Sequence, residues 1–195
     1  MGRPVDLKTL MAALEVRPAR PSSDYDLNPG VVLPEGRKLR PAAVLIGVLG
    51  DDVILTKRAS TLKHHPGQIA FPGGKLDGDE TPVEAALREA HEEIGLDPEN
   101  VSILAELPPH ETVTGYSVTP VLARIEADFD PLPEAGEVAE VFRVPLAFVM
   151  EPSNFAVEGR RWRGMRREYY VVPYGPYYIW GATARMLKSL ADRAA

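Results

Sequence analysis

Apolar residues recur along this chain with two periods, one helical and one of strands. Leu7, Leu10, Met11 and Leu14 fall near helical spacing between Val5 and Val16 and predict a short amphipathic helix. Pro18, Pro21, Pro29 and Pro34 then interrupt regular structure as far as Arg40, so residues 1–40 read as an N-terminal extension of helix plus proline-rich arm. A single domain over 41–195 follows. Ala42 to Leu49 is a continuous apolar run, the pattern of a buried strand, and Asp51-Asp52 turn it into a second strand from Val53 to Lys57. Further strands are expected near Val101–Glu106, Val118–Ala127, Val138–Val144 and Arg167–Tyr174. A closing helix runs from Tyr178 to Ala194, with Ile179, Met186, Leu187 and Leu190 as its core face. Strands with interspersed helices, but no regular βα repeat, predict an α/β fold with a mixed sheet between helical layers.

The strongest local signals bracket a helix between Thr81 and Ile94. Thr81 with Glu84 three residues on forms a capping box, Pro82 suits the first helical position, and Gly95 supplies a left-handed end. Val83, Leu87, Ala90 and Ile94 form one apolar stripe expected to face the sheet. Glu89, Glu92 and Glu93 fall on a different face, with Ala85 leaving room one turn before Glu89. Offsets of three and four bring such side chains to about 5–6 Å between Cβ atoms. Carboxylates so close repel each other, and a shared divalent cation relieves the repulsion. Hard oxygen ligands with water and phosphate oxygens completing the shell suit Mg²⁺ or Mn²⁺.

Composition narrows the remaining choices. The chain has 195 residues, 45% hydrophobic and 26% charged, within the range of ordinary globular proteins. The absence of cysteine excludes disulfides, zinc ribbons and thiol nucleophiles, and makes a reducing compartment the default. A net charge of -6 argues against general nucleic-acid binding, though a bound metal or a local basic patch can still attract a phosphorylated small molecule. The longest apolar stretch, Pro41 to Gly50, is too short to span a bilayer. A cytoplasmic enzyme with a small-molecule substrate, no membrane contact and a possible homodimer through its N-terminal segment is the expectation.

A solvated acidic helix face is the ordinary reading of such glutamates, but the residues around them argue otherwise. Gly74, Glu80, Arg88, Glu89, Ala90, Glu92, Glu93, Gly95 and Leu96 fit G-x5-E-x7-R-E-U-x-E-E-x-G-U without a gap. This resembles the signature box of the Nudix hydrolase family. The resemblance implies an α/β/α sandwich with the box as loop, helix and loop over a mixed sheet. It also implies that Glu89 and Glu93 are the principal metal ligands with Glu92 beside them, and that Glu80 and Arg88 pair to hold the loop against the helix. The backbone near Gly74 is expected to add a further ligand. Metal and protein together would clamp a diphosphate for in-line attack by water. Glu92, Glu137 and Glu140 stand as alternative general bases.

The stretch before the box is more specific. Leu55-Thr56-Lys57-Arg58-Ala59 is followed by His65-Pro66-Gly67-Gln68-Ile69-Ala70-Phe71-Pro72-Gly73-Gly74. This is similar to the coenzyme A pyrophosphatase branch of the family, and Ile179 to Leu187 carries a weaker likeness. The likeness implies cleavage of coenzyme A or a derivative to 3′,5′-ADP and 4′-phosphopantetheine. Arg58, His65, Gly67, Gln68, Phe71, Gly73 and Gly74 become the candidate substrate-binding residues, with Phe71 read first as core. Arg58 suits a phosphate through its forked guanidinium, while Lys57, Lys63 and His64 would raise the local potential. Arg160, Arg161, Arg163, Arg166 and Arg167 form the strongest basic run, expected as a solvated hairpin that could also draw in an anion. Two other readings remain: a Nudix hydrolase of another nucleoside diphosphate such as ADP-ribose, and a non-catalytic nucleotide-binding module.

Overall fold

The computed structural model describes residues 5–17, 20–162 and 164–195; Pro18 of the arm and Arg163 of the basic run lie outside them. The spine of the molecule is a parallel pair, β2 (Arg40–Leu49) and β8 (Tyr116–Ile125), in register from Arg40 opposite Tyr116 to Leu49 opposite Ile125. β3 (Asp52–Arg58) returns antiparallel beside the end of β2 and then pairs with β9 (Val138–Pro145). The short strands β4 (Ile69–Ala70) and β5 (Gly73–Lys75) add antiparallel to β3 and β2. β6 (Val101–Glu106) and β7 (His110–Glu111) pair antiparallel with β8, and β1 (Ser22–Ser23) joins β7 in parallel. Parallel and antiparallel neighbours together make a mixed sheet, as expected.

Alternation along the strands divides the core in two. Ala43, Leu45, Leu49, Ile54, Val121, Ala123 and Ile125 face helix α2 (Pro82–Ile94). Ile46, Val48, Val53, Leu55, Leu122 and Val144 face the other way, toward α1 (Leu7–Val16), the short α3 (Leu146–Val149) and α4 (Gly181–Ala194). Helices on both faces complete the α/β/α arrangement. Among the described residues no helix is long and apolar enough to cross a membrane.

Residues 5–40 are stitched into this body. Leu10 of α1 is fully buried against the core that α4 covers. Arg17 donates to the carbonyls of Asp192, Arg193 and Ala195, and Arg193 returns a bond of 2.9 Å to the Leu14 carbonyl. Ser22 Oγ lies 2.9 Å from Nδ1 of the buried His110, whose Nε2 lies 3.0 Å from Asp24. The Asn28 amide pairs with both backbone groups of Glu168.

Two boundaries and one helix face differ from expectation. The basic run forms a separate hairpin, β10 (Ala156–Trp162) with β11 (Met165–Val171), so the strand expected at Arg167–Tyr174 starts earlier and ends before Pro173. α4 begins at Gly181 because Trp180 is extended, with φ −149° and ψ 174°, although Ile179 is buried as expected. α2 has its capping box on Thr81 and Glu84 and its left-handed Gly95. Its buried face, however, is Ala85, Ala86, Ala90, Glu93 and Ile94, while Val83 and Leu87 are half-buried. Small alanines let the helix lie close to the sheet, and that draws Glu93 inward, off the polar face where its spacing had placed it.

Candidate active site

Between β2 and α2 the chain passes through a gap that admits only backbone. A Cβ on Gly73 would stand 2.3 Å from the Ala43 carbonyl oxygen, and one on Gly74 would stand 2.3 Å from Oε1 of Glu89. The two glycines therefore let β5 press the main chain directly against a carboxylate of the helix. The loop that follows is tied down by Arg88. Its guanidinium donates to both oxygens of Glu80, at 2.7 and 3.1 Å, and to the Lys75 carbonyl at 3.0 Å. It also reaches Glu89 at 2.9 Å and Glu92 at 3.2 Å. The Arg88 guanidinium and then the Asp77 N–H hold the Glu80 carboxyl below the usual carboxylate range. The expected Glu80–Arg88 pair is present, and Arg88 serves as the hub of loop and helix alike.

Glu93 is only 6% exposed, and the Gly73 N–H donates to its Oε2 at 3.2 Å. Burial pushes its carboxyl up to about 7; the Gly73 bond and Arg58 oppose that, while the charges of Glu89 and Glu137 reinforce it. Glu89 is also raised, first by burial, against the pull of Arg88 and with the help of Glu92 and Glu137. Glu92 is the exposed member of the three.

The two remaining candidate bases separate cleanly. The loop before β9 packs on the end of α2, where Leu132 N–H donates to Ile94 and Glu134 N–H to Glu93, both at 2.9 Å. This brings Glu137 within electrostatic reach of Glu89 and Glu93. Glu140 lies on the opposite face of the sheet. It accepts a hydrogen bond from Tyr177, whose ring stacks on Phe142 at 3.6 Å within the core that α4 covers.

Of the upstream residues, Arg58 ends β3 and acts on Glu93. Its backbone N–H donates to Gln68 at 2.9 Å and its carbonyl accepts from Gly67 at 3.1 Å, closing the 58–68 loop. His65 sits in that loop with a positive φ of 54°. Its imidazole is held below its usual range, first by partial burial and then by the charge of Arg58. Lys57, Lys63 and His64 are exposed. Phe71 is a correction to the substrate-binding set: it is 3% exposed and part of the core under α4, so it offers no surface to a substrate. The Lys75 carbonyl on Arg88 was invisible in the sequence, because a backbone acceptor leaves no residue-type signal.

Among the described residues no three His, Asp or Glu side chains converge on a point as a ready-made cation cage, and Arg88 shares the charge of Glu89 and Glu92. The donor chemistry fits a hard divalent ion nonetheless. Glu89 and Glu93 are oxygen donors raised by burial and by the charge of neighbouring carboxylates, which is the electrostatic condition a dication relieves.

A family model described as the NUDIX domain matches residues 38–162, which hold the glutamate helix, the glycine gap and the Arg58 loop. The chain belongs to the Nudix hydrolase family. An uncharacterized Nudix hydrolase, NudL, of Enterobacter sp. (strain 638) is 42% identical over 156 residues, 78% of this chain and 81% of that protein. Its namesake in Cronobacter sakazakii (strain ATCC BAA-894) is 41% identical with the same coverage. The crystal structure of a MutT protein from Methanosarcina mazei Go1 has the same Nudix fold, with a TM-score of 0.53 at 20% identity over 82% of this chain and 97% of that one. Nudix hydrolases generally use divalent metals such as Mg²⁺ or Mn²⁺ and bind small nucleotide substrates.

Proposed function

We propose that this Nudix hydrolase cleaves the diphosphate bond of coenzyme A or its derivatives, with Mg²⁺ or Mn²⁺, to 3′,5′-ADP and 4′-phosphopantetheine (acyl-phosphopantetheine from a thioester). Water adds to one phosphorus, the P–O–P bond breaks, and each product leaves with a terminal phosphate. The observation that carries the reading is the position of Arg58. The segment that resembles the coenzyme A branch brings Arg58 within electrostatic reach of the buried Glu93, which supports reading the 58–68 loop and the glutamate helix as parts of one site.

Glu89, Glu93 and Glu92 would hold the cation, which supplies charge neutralisation of the diphosphate and a more acidic water. Arg88 and Glu80 fix the loop so that the backbone of Gly73 and Gly74 stays against those carboxylates. Arg58 pairs with a phosphate oxygen. Of the proton acceptors, Glu92 and Glu137 are favoured by their electrostatic reach to Glu89, whereas Glu140 bonds Tyr177 within the core that α4 covers. His65, Gly67 and Gln68 shape the loop that Arg58 closes.

Incubation with Mg²⁺ or Mn²⁺ and coenzyme A, dephospho-coenzyme A, ADP-ribose or NADH, with products resolved by chromatography, tests this reading. Cleavage of coenzyme A to the two stated products is expected. Preference for ADP-ribose would transfer the chain to another nucleoside diphosphate, and cleavage of none would leave a binding module.

A further inference from the structure

A group of aromatic and cationic side chains stands between the β10–β11 hairpin and the start of α4, outside the residues assigned above. Trp180 meets Tyr169 of β11 edge-on, with centroids 5.2 Å apart and planes at 61°. The Arg160 guanidinium of β10 lies 4.6 Å from the Trp180 centroid and 5.9 Å from that of Tyr169. Tyr178 closes one side, donating to Glu158 at 2.6 Å.

This group borders the site. The 65–68 loop reaches α4, where the Gln68 side-chain nitrogen lies 3.8 Å from the place a Cβ on Gly181 would take. His65 in that loop feels the charge of both Arg58 and Arg160, and Arg58 in turn acts on Glu93. Two guanidiniums, those of Arg58 and Arg160, therefore act on the 65–68 loop, one toward the buried glutamate and one toward the aromatic face.

A diphosphate ester held at the glutamates must extend its two halves in different directions. The pantetheine half of coenzyme A is neutral and flexible, and gains little from a guanidinium over an indole. The nucleotide half carries a planar base and a 3′-phosphate dianion. Bases stack on aromatic rings, and arginine pairs with phosphate through its planar fork. We propose that Trp180, Tyr169 and Arg160 bind the 3′-phosphoadenosine half of the substrate, with Arg160 recognising the 3′-phosphate. The inference rests on the coenzyme A reading for its substrate, and it makes the hairpin a specificity element.

Binding can be tested separately from turnover. The chain has two tryptophans, so Trp162→Phe leaves Trp180 as the sole indole reporter. Titration with adenosine 3′,5′-bisphosphate is expected to change its fluorescence, with a dissociation constant about tenfold below that of AMP. Arg160→Ala should erase that preference and Arg160→Lys should keep part of it. Trp180→Leu, followed by calorimetry, should weaken both nucleotides about tenfold. In turnover, Arg160→Ala should lower the ratio of kcat/KM for coenzyme A over dephospho-coenzyme A about tenfold, through KM. Arg160 also lies over the Trp180 ring, so a thermal melt of each variant, run beside the titrations, separates any loss of fold from loss of the phosphate contact. Equal binding of AMP and the bisphosphate, or an unchanged preference in Arg160→Ala, overturns the inference. If coenzyme A is not cleaved while the fluorescence preference holds, the coenzyme A reading fails and the nucleotide subsite stands. If coenzyme A is cleaved with an unchanged ratio in Arg160→Ala, the subsite alone fails.

Discussion

Glu93 carries a tension that can be measured without any substrate. Its carboxyl is pushed to about 7 from an ordinary value of 4.5, so the metal-free folded state holds a proton that the unfolded chain has already released. The stabilising contribution of this group is fully present below about 4.5 and is lost as pH rises through about 7. Metal-free protein should therefore lose stability between pH 5 and 8 through this residue. Glu93→Gln should be more stable than the parent at pH 8, by at most about 3 kcal/mol, and little changed at pH 5. Parallel melting curves of the two proteins across that range would sink the idea. Mg²⁺ or Mn²⁺ should raise the melting temperature of the parent more at pH 8 than at pH 5, because the ion binds the deprotonated form. Gly74→Ala probes the same place by shape. Its Cβ would force the Glu89 carboxylate aside, and steady-state kinetics should show kcat lowered at least about tenfold with the fold intact.

At the scale of elements, α2 was the most legible part of the chain. Thr81, Glu84, Pro82 and Gly95 are local signals, and each acts within a few residues of itself. The buried face was less legible, since which stripe turns inward depends on how near the sheet can come. Ala85 and Ala86 decide that, and the spacing leaves both off the apolar stripe of Val83, Leu87, Ala90 and Ile94. The closing helix shows the same limit: Ile179 continues the apolar spacing, yet tertiary packing keeps Trp180 extended. Thr81→Ala should cost about 1 kcal/mol in denaturant melts. Arg88→Lys keeps the charge but loses the fork that grips Glu80 and Lys75 together. Faster hydrogen exchange at the Asp77 amide, which donates to Glu80, is the expected signature; unchanged protection there would show that the loop holds by other means.

Across the whole molecule, the glutamate cluster and the Arg58 loop were readable because they lie close together in sequence. The attachment of residues 5–40 was not. Ser22 finds His110, Asn28 finds Glu168, and Asp26 finds Arg185, and contacts of such sequence separation leave no periodic trace. Leu10→Ala tests how much the first helix contributes. A fully buried leucine in the core shared with α4 should cost about 2–5 kcal/mol when truncated, read in chemical denaturation. A loss below about 0.5 kcal/mol would mean that α1 rests on the domain without supporting it.

The clasp between Arg17 and the carbonyls of residues 192–195 sets an order of events during synthesis. α1 leaves the ribosome early, while α4, its seat, emerges only after β11. Throughout translation of the intervening strands, the Leu10 side of α1 lacks the α4 face it packs with and is open to chaperones. The nascent chain can assemble its sheet and its glutamate helix, but the face opposite them closes only when the last helix is free.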